Sequence, residues 1–102
     1  MRMLMHVNFP VEPFNTLVKN GTVGEKIRQA MEDTKPEAAY FSEDDGERGA
    51  VLVVDVSKAS DIPGLAEPWF LNFNARIRIR ICMTPEDLGN AGLDEIGKKY
   101  AD

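Results

Sequence analysis

The 102-residue sequence has a single cysteine, Cys82, and a single histidine, His6. One thiol closes no internal disulfide and builds no multi-thiolate metal site; its ordinary place is a small buried apolar side chain. One imidazole would need carboxylates or the thiol at ligand spacing to hold a metal, and no such spacing occurs. No metal and no cofactor are therefore expected. Long hydrophobic runs are also missing: Ala50 to Val54 is the longest, far short of a bilayer span. The opening Met1-Arg2-Met3-Leu4-Met5-His6 turns polar too early for the apolar core of a secretion signal, so the cytoplasm is the expected location. Positive charge is scarce. Twelve lysines and arginines against 17 acids leave a net charge of −5, which disfavours both nonspecific nucleic-acid binding and an anionic membrane surface. No basic run is interleaved with stacking aromatics. Gly21-Thr22-Val23-Gly24 lacks the lysine and the spacing of a phosphate-binding loop, and no serine sits in a nucleophile elbow.

What is present is an ordinary globular composition, 43% hydrophobic, in a length that fits one domain spanning residues 1–102. Strand and helix signals alternate along it. Arg2 to Phe9 reads as a strand, with Met3, Met5, Val7 and Phe9 on one side and Leu4, His6 and Asn8 on the other. Glu12-Pro13 opens a helical stretch in which Phe14, Leu17, Val18, Gly21, Gly24, Ile27 and Met31 recur at helical spacing. The two glycines would let one long helix approach a sheet closely. Alternatively, Asn20-Gly21 is a stop and Thr22 to Glu25 a fresh capping box. Ala38 to Glu43 and the Val-rich Gly49 to Val56 read as strands joined by the polar turn Asp44-Asp45-Gly46-Glu47. The second of them is apolar on both sides, as a central strand would be. Ser60-Asp61-Ile62-Pro63 starts another helix, which Pro68 is expected to kink or divide. Asn74 to Met83 alternates Ala75, Ile77, Ile79, Ile81 and Met83 with Arg76, Arg78, Arg80 and Cys82. Thr84-Pro85-Glu86-Asp87 is a helix start with a threonine N-cap and acids in the first turn, Gly89 stops it, and Leu93 to Tyr100 forms a last short helix.

This order predicts an α+β fold of the ferredoxin-like βαββαβ type, an antiparallel sheet with its helices on one face, followed by short C-terminal helices. The first and last strands would be neighbours. The second sheet face would carry Leu4, His6, Asn8, Val51, Val53, Asp55, Arg76, Arg78 and Arg80. Its valines are too apolar to leave in water, so a second copy stacked face to face with two-fold symmetry is the expected partner.

On the stretch from Pro68-Trp69-Phe70 through Asn74 to Thr84-Pro85-Glu86-Asp87-Leu88, and on the architecture of nearly the whole chain, the sequence resembles the dimeric α/β-barrel superfamily, in particular its small stand-alone bacterial members. That group also includes muconolactone-isomerase-like proteins and cofactor-independent monooxygenases. The resemblance implies a homodimer and a cleft between helices and sheet. It implies no catalytic residues, because the superfamily shares no catalytic signature.

The candidate site residues lie mainly on the second sheet face. His6 would be a general base, since histidine as a residue type exchanges protons near neutral pH; the alternative is a hydrogen-bonded histidine at a dimer interface, the commoner circumstance. Arg76, Arg78 and Arg80, about 7 Å apart along one strand, would take a carboxylate, phosphate or enolate oxygen through paired donors. The alternative is a ladder of ion pairs with Glu43, Asp55 or acids of a partner subunit. Asp55 would pair with Arg76 or Arg80, or cap the loop after it. Tyr40, Phe41, Trp69, Phe70 and Phe73 would line an apolar pocket, although aromatics at helical spacing are more often core. Two functions fit these residues. One is a dimeric ligand-binding or structural module. The other is a cofactor-independent isomerase or monooxygenase acting on a small anionic organic substrate, with His6 as base and Asn8 and Arg78 stabilising an enolate-like oxygen.

Overall fold

The first strand, β1, runs from Arg2 to Phe9 and its alternation decides the layering. Met3, Met5, Val7 and Phe9 are buried, while Leu4 and His6 between them remain half-exposed. The computed structural model describes residues 1–102. It contains one antiparallel sheet in the order β2-β3-β1-β4, with β2 at Ala38–Asp44, β3 at Glu47–Asp55 and β4 at Arg76–Ile81. This is the expected ferredoxin-like order: β1 lies between β3 and β4, and β3 is central.

The hairpin joining β2 and β3 has a two-residue loop, Asp45-Gly46. Both residues have positive φ, 53° and 80°, the twist that a tight antiparallel hairpin needs. The loop sets Asp44 opposite Glu47, Ser42 opposite Gly49 and Tyr40 opposite Val51. Across β1, Asn8 is opposite Gly49, His6 opposite Val51 and Leu4 opposite Val53. Across to β4, the same three residues face Arg76, Arg78 and Arg80. These positions all share the face away from the helices.

The helical region after β1 is two helices rather than one: α1 at Val11–Lys19 and α2 at Val23–Thr34. Gly21 takes φ +78° between them, which only glycine adopts cheaply. The expected capping box at Thr22 does not form; the Thr22 hydroxyl donates to Asn20 Oδ1 at 2.6 Å instead. Close approach to the sheet is not the role of Gly21 or Gly24, since a Cβ on either would meet nothing within 4 Å. Glu12 is extended and its bond to Pro13 is cis, so regular helix begins at Pro13. Alanine at Gly24, in an open helical position, is expected to raise stability by about 1 kcal/mol; a thermal melt checks this.

After a short 3-10 turn at Ala59–Asp61, α3 runs from Ile62 to Phe73. It passes through Pro68 without dividing. The carbonyl that Pro68 leaves without a donor belongs to Gly64, which is exposed, so water can satisfy it. α1, α2 and α3 cover one sheet face. Phe9, Trp69 and Phe73 meet there with ring centroids 5.2–5.9 Å apart, joined by Met5, Leu52 and Val54. Phe14 adds a fourth ring, with the Arg48 guanidinium 4.5 Å above it.

Two short helices end the chain, α4 at Pro85–Gly89 and α5 at Leu93–Lys99. The α4 cap is reciprocal, as its sequence predicts. Asp87 N–H donates to Thr84 Oγ1 at 3.0 Å, and Thr84 N–H donates to Asp87 Oδ2 at 2.9 Å. That backbone donor holds the Asp87 carboxyl below its ordinary value. A folded-state pKa lowered in this way gives a contribution that is complete above the ordinary carboxyl range and lost as pH falls through the lowered value. Acid titration followed by NMR is expected to show the Thr84 amide and the Asp87 carboxyl shifting together, with a midpoint below that of an unstructured aspartate.

Candidate functional site

The face opposite the helices is uncovered and mixed in character. Leu4, Val51 and Val53 are half-buried along its centre, and Tyr40 on β2 is 72% exposed. Beside them lies a polar depression of about 400 Å³ lined only by His6, Asn8, Asp44, Asp45, Arg76 and Arg78. A second depression, of about 260 Å³, adjoins it over β2 and β3 and shares His6 and Asp44. His6 therefore stands between two concavities at the middle of the sheet.

The geometry of this depression begins with Gly49. A Cβ there would lie 2.6 Å from Asp44 Cβ and 3.2 Å from the Val7 carbonyl oxygen. With no side chain on β3 at that point, Asn8 on β1 reaches across the strand to Asp44 on β2. Its Nδ2 donates to Asp44 Oδ2 at 3.2 Å and to the Asp44 carbonyl at 3.4 Å. Its Oδ1 accepts from Arg76 Nη2 at 3.0 Å and Nε at 3.3 Å. Arg76 Nη2 also donates to Glu47 Oε1 at 2.9 Å. Asn8 is buried, so these bonds satisfy an amide that would otherwise be costly to enclose.

The three arginines are thus unequal. Arg76 is committed to Asn8 and Glu47. Arg78 approaches Asp44 Oδ1 only at 3.9 Å, the outer limit of an ion pair, with most of its side chain in solvent. Arg80 has neither a carboxylate within ion-pair distance nor a side-chain hydrogen bond. The acids that serve the row are Glu47 and Asp44, not the expected Glu43 and Asp55. Glu43 points to the helix side, opposite Arg48 in register, and accepts from the Gly46 N–H. Asp55 lies at the far end of β3 opposite Arg2. Its carboxylate takes the Met1 amino group at 2.8 Å, which holds its pKa below the ordinary value. It neither pairs with Arg76 or Arg80 nor joins the polar depression.

The aromatic candidates do not converge either. Trp69 and Phe73 are fully buried under the helices, and the Trp69 indole N–H is enclosed without a hydrogen-bond partner. Phe70 is on the outer side of α3 at 40% exposure, and Phe41 is on the helix-side edge of β2. Only Tyr40 shares the open face with His6 and the arginines. Where helix layer and sheet meet, a depression of about 470 Å³ lies between α1 and the hairpin. None of the residues singled out as site candidates lines it, and its Arg48 is tied to Asn15 at 2.9 Å.

No family model matches the sequence, and no curated protein matches it. Among solved structures, the chain is similar to a 5-chloro-2-hydroxyhydroquinone dehydrochlorinase from Burkholderia phenoliruptrix, in complex with 2,5-dihydroxybenzoquinone. The TM-score is 0.60 at 12% identity, covering 84% of this chain and 97% of that one. It also aligns with a de novo designed protein, Ferredog-Diesel, at a TM-score of 0.45 and 13% identity, covering 79% of this chain and 85% of that one. At such identity the likeness to the dehydrochlorinase establishes a shared fold.

Proposed function

We propose that the chain is a homodimeric binding protein for a small anionic organic molecule, held on the open sheet face at the His6–Arg78 depression. The observation that carries this reading is the asymmetry of the arginine row. Arg76 is built into the Asn8–Asp44–Glu47 network, while Arg78, also lining the depression, meets only Asp44, at 3.9 Å, and leaves most of its fork open to a ligand. A guanidinium held this loosely next to an imidazole and an apolar strip suits a flat, oxygen-rich, negatively charged compound. A related fold accommodates a dihydroxybenzoquinone in the dehydrochlorinase, a compound of that description. Dimerisation over Leu4, Val51, Val53 and Tyr40 would cover the apolar strip and close the depression.

Asn8 takes a different part in this proposal from the one its sequence position suggested. Both ends of its amide are already bonded to protein, so it positions Arg76 and Asp44 rather than touching the ligand. Arg78→Ala removes a charge-assisted donor pair and is expected to weaken binding of a benzoquinone-type dianion by about 2 kcal/mol, roughly 30-fold. Titration calorimetry with 2,5-dihydroxybenzoquinone on wild type and variant is the test. Equal affinities, or no heat with either protein, would remove this ligand class.

A second reading, turnover rather than storage, rests on His6 standing between the two depressions, where it would reach a ligand proton from either side. Substrate consumption by the wild type but not by His6→Gln, with binding retained in both, would establish it.

A further inference from the structure

The chain is far from a sphere. Its principal extents are 63 × 29 × 19 Å and its radius of gyration is 17.5 Å, against roughly 13 Å for a compact domain of this length. The excess comes from the end of the chain. Every residue from 85 to 102 is exposed, and every hydrogen bond made by residues 84–102 stays within that segment. The arm nevertheless holds two helices, of five and seven residues. Helices that short do not hold themselves in water, and capping adds only about 1 kcal/mol. Leu88, Leu93, Ile96 and Tyr100 lie bare along the arm. Some surface must cover them.

We infer that this arm docks on a second copy of the chain, its acids against the Arg80 end of that copy's β4. Two observations select this occupant. The arm from residue 83 on carries five acidic side chains against two lysines, a net of −3, while the exposed row on β4 is basic and ends in Arg80, the one arginine of the row left without a partner. The arm also leaves directly from β4, the strand bordering the face proposed above as the dimer interface, so an exchange of arms extends that interface without a long connection. The inference rests on the dimer reading and adds to it a specific crossing contact. Two-fold symmetry makes the exchange reciprocal.

The test is hydrogen–deuterium exchange of the full-length chain across a dilution series, with its mass distribution measured at each concentration. The expected result is a dimer in which α5 amides exchange at least about 100-fold slower than an unstructured chain, the protection vanishing on dilution together with the dimer. The full-length variant Arg80→Glu is expected to speed α5 exchange at a concentration where the wild type is dimeric. A dimer with unprotected α5 would overturn the arm exchange and leave the open-face dimer standing. Protection that persists in the monomer would overturn it too, placing the arm on its own chain. A monomer with unprotected α5 at every concentration would remove the arm contact and the dimer together. Failure of Arg80→Glu to change α5 exchange would overturn the assignment of the acids to that arginine.

Discussion

Val51→Asp is expected to leave a folded monomer. Val51 lies on β3 at the centre of the open face, opposite His6 on one side and Tyr40 on the other. In one chain alone the position is only half-buried, so an aspartate there keeps its water and the sheet loses about 1 kcal/mol of strand preference. In a face-to-face dimer the two-fold axis brings two such positions under cover. Each buried carboxylate without a partner costs several kcal/mol, and each dimer contains two. The dimer is therefore weakened by at least about 4 kcal/mol, roughly 1000-fold in dissociation constant. Sedimentation velocity on wild type and variant reads this directly, and an unchanged dimer would mean that the apolar strip is not the interface. Val51→Ile, which keeps the apolar surface, is expected to remain dimeric.

The second large effect comes from Gly49→Val. Glycine replacement in a strand usually stabilises, by about 0.4–1 kcal/mol, because the unfolded chain loses freedom. Here the sign reverses. The new Cβ would sit 2.6 Å from Asp44 Cβ, an atom fixed to the hairpin backbone that cannot swing aside as the end of a long side chain could. Either Asp44 and the hairpin move away, or β3 shifts from β1. Both break the Asn8–Asp44 bridge and leave a buried amide partly unpaired, at about 1–3 kcal/mol, on top of about 1–3 kcal/mol of overpacking. A net loss of about 3 kcal/mol, some 12–24 °C in melting temperature, is expected. Arg76 should also become mobile, because Asn8 holds it. Tryptophan fluorescence of the single Trp69, buried in the core, follows the melt. A stability equal to wild type would show that the bridge is dispensable.

Much of this arrangement was legible in the residues. The alternation in β1 and β4 names the faces, and the Val-rich β3 predicts its central place, because period-two patterning leaves no freedom once one side must be buried. Hence His6, Asn8, Arg76, Arg78 and Arg80 share one sheet face, although Arg80 stands outside the polar depression that the other four line. The ion partners of the arginines were harder. The signal was present in Asp45-Gly46: a two-residue hairpin of that composition forces Asp44 opposite Glu47 on the open face, while Glu43 necessarily turns to the other side. The role of Gly49 depends on three strands meeting at one point, which no local pattern encodes. The aromatic pocket failed for a related reason. Neighbouring residues on α3, such as Trp69 and Phe70, are turned about 100° from each other around the helix axis, which puts one in the core and leaves the other exposed. The detached arm was not legible, since its capped, amphipathic segments read like those of any helix that packs on its own domain.

Native mass spectrometry of the protein as purified, compared with the same sample denatured, tests the central claim most directly: that the open sheet face is a covered, two-fold surface enclosing a small anionic molecule. The account predicts a species of twice the chain mass carrying an added small mass, which disappears on denaturation and is absent from Arg78→Ala. A bare monomer at every concentration would contradict it, because an uncovered strip of Leu4, Val51 and Val53 would then have no partner to explain it.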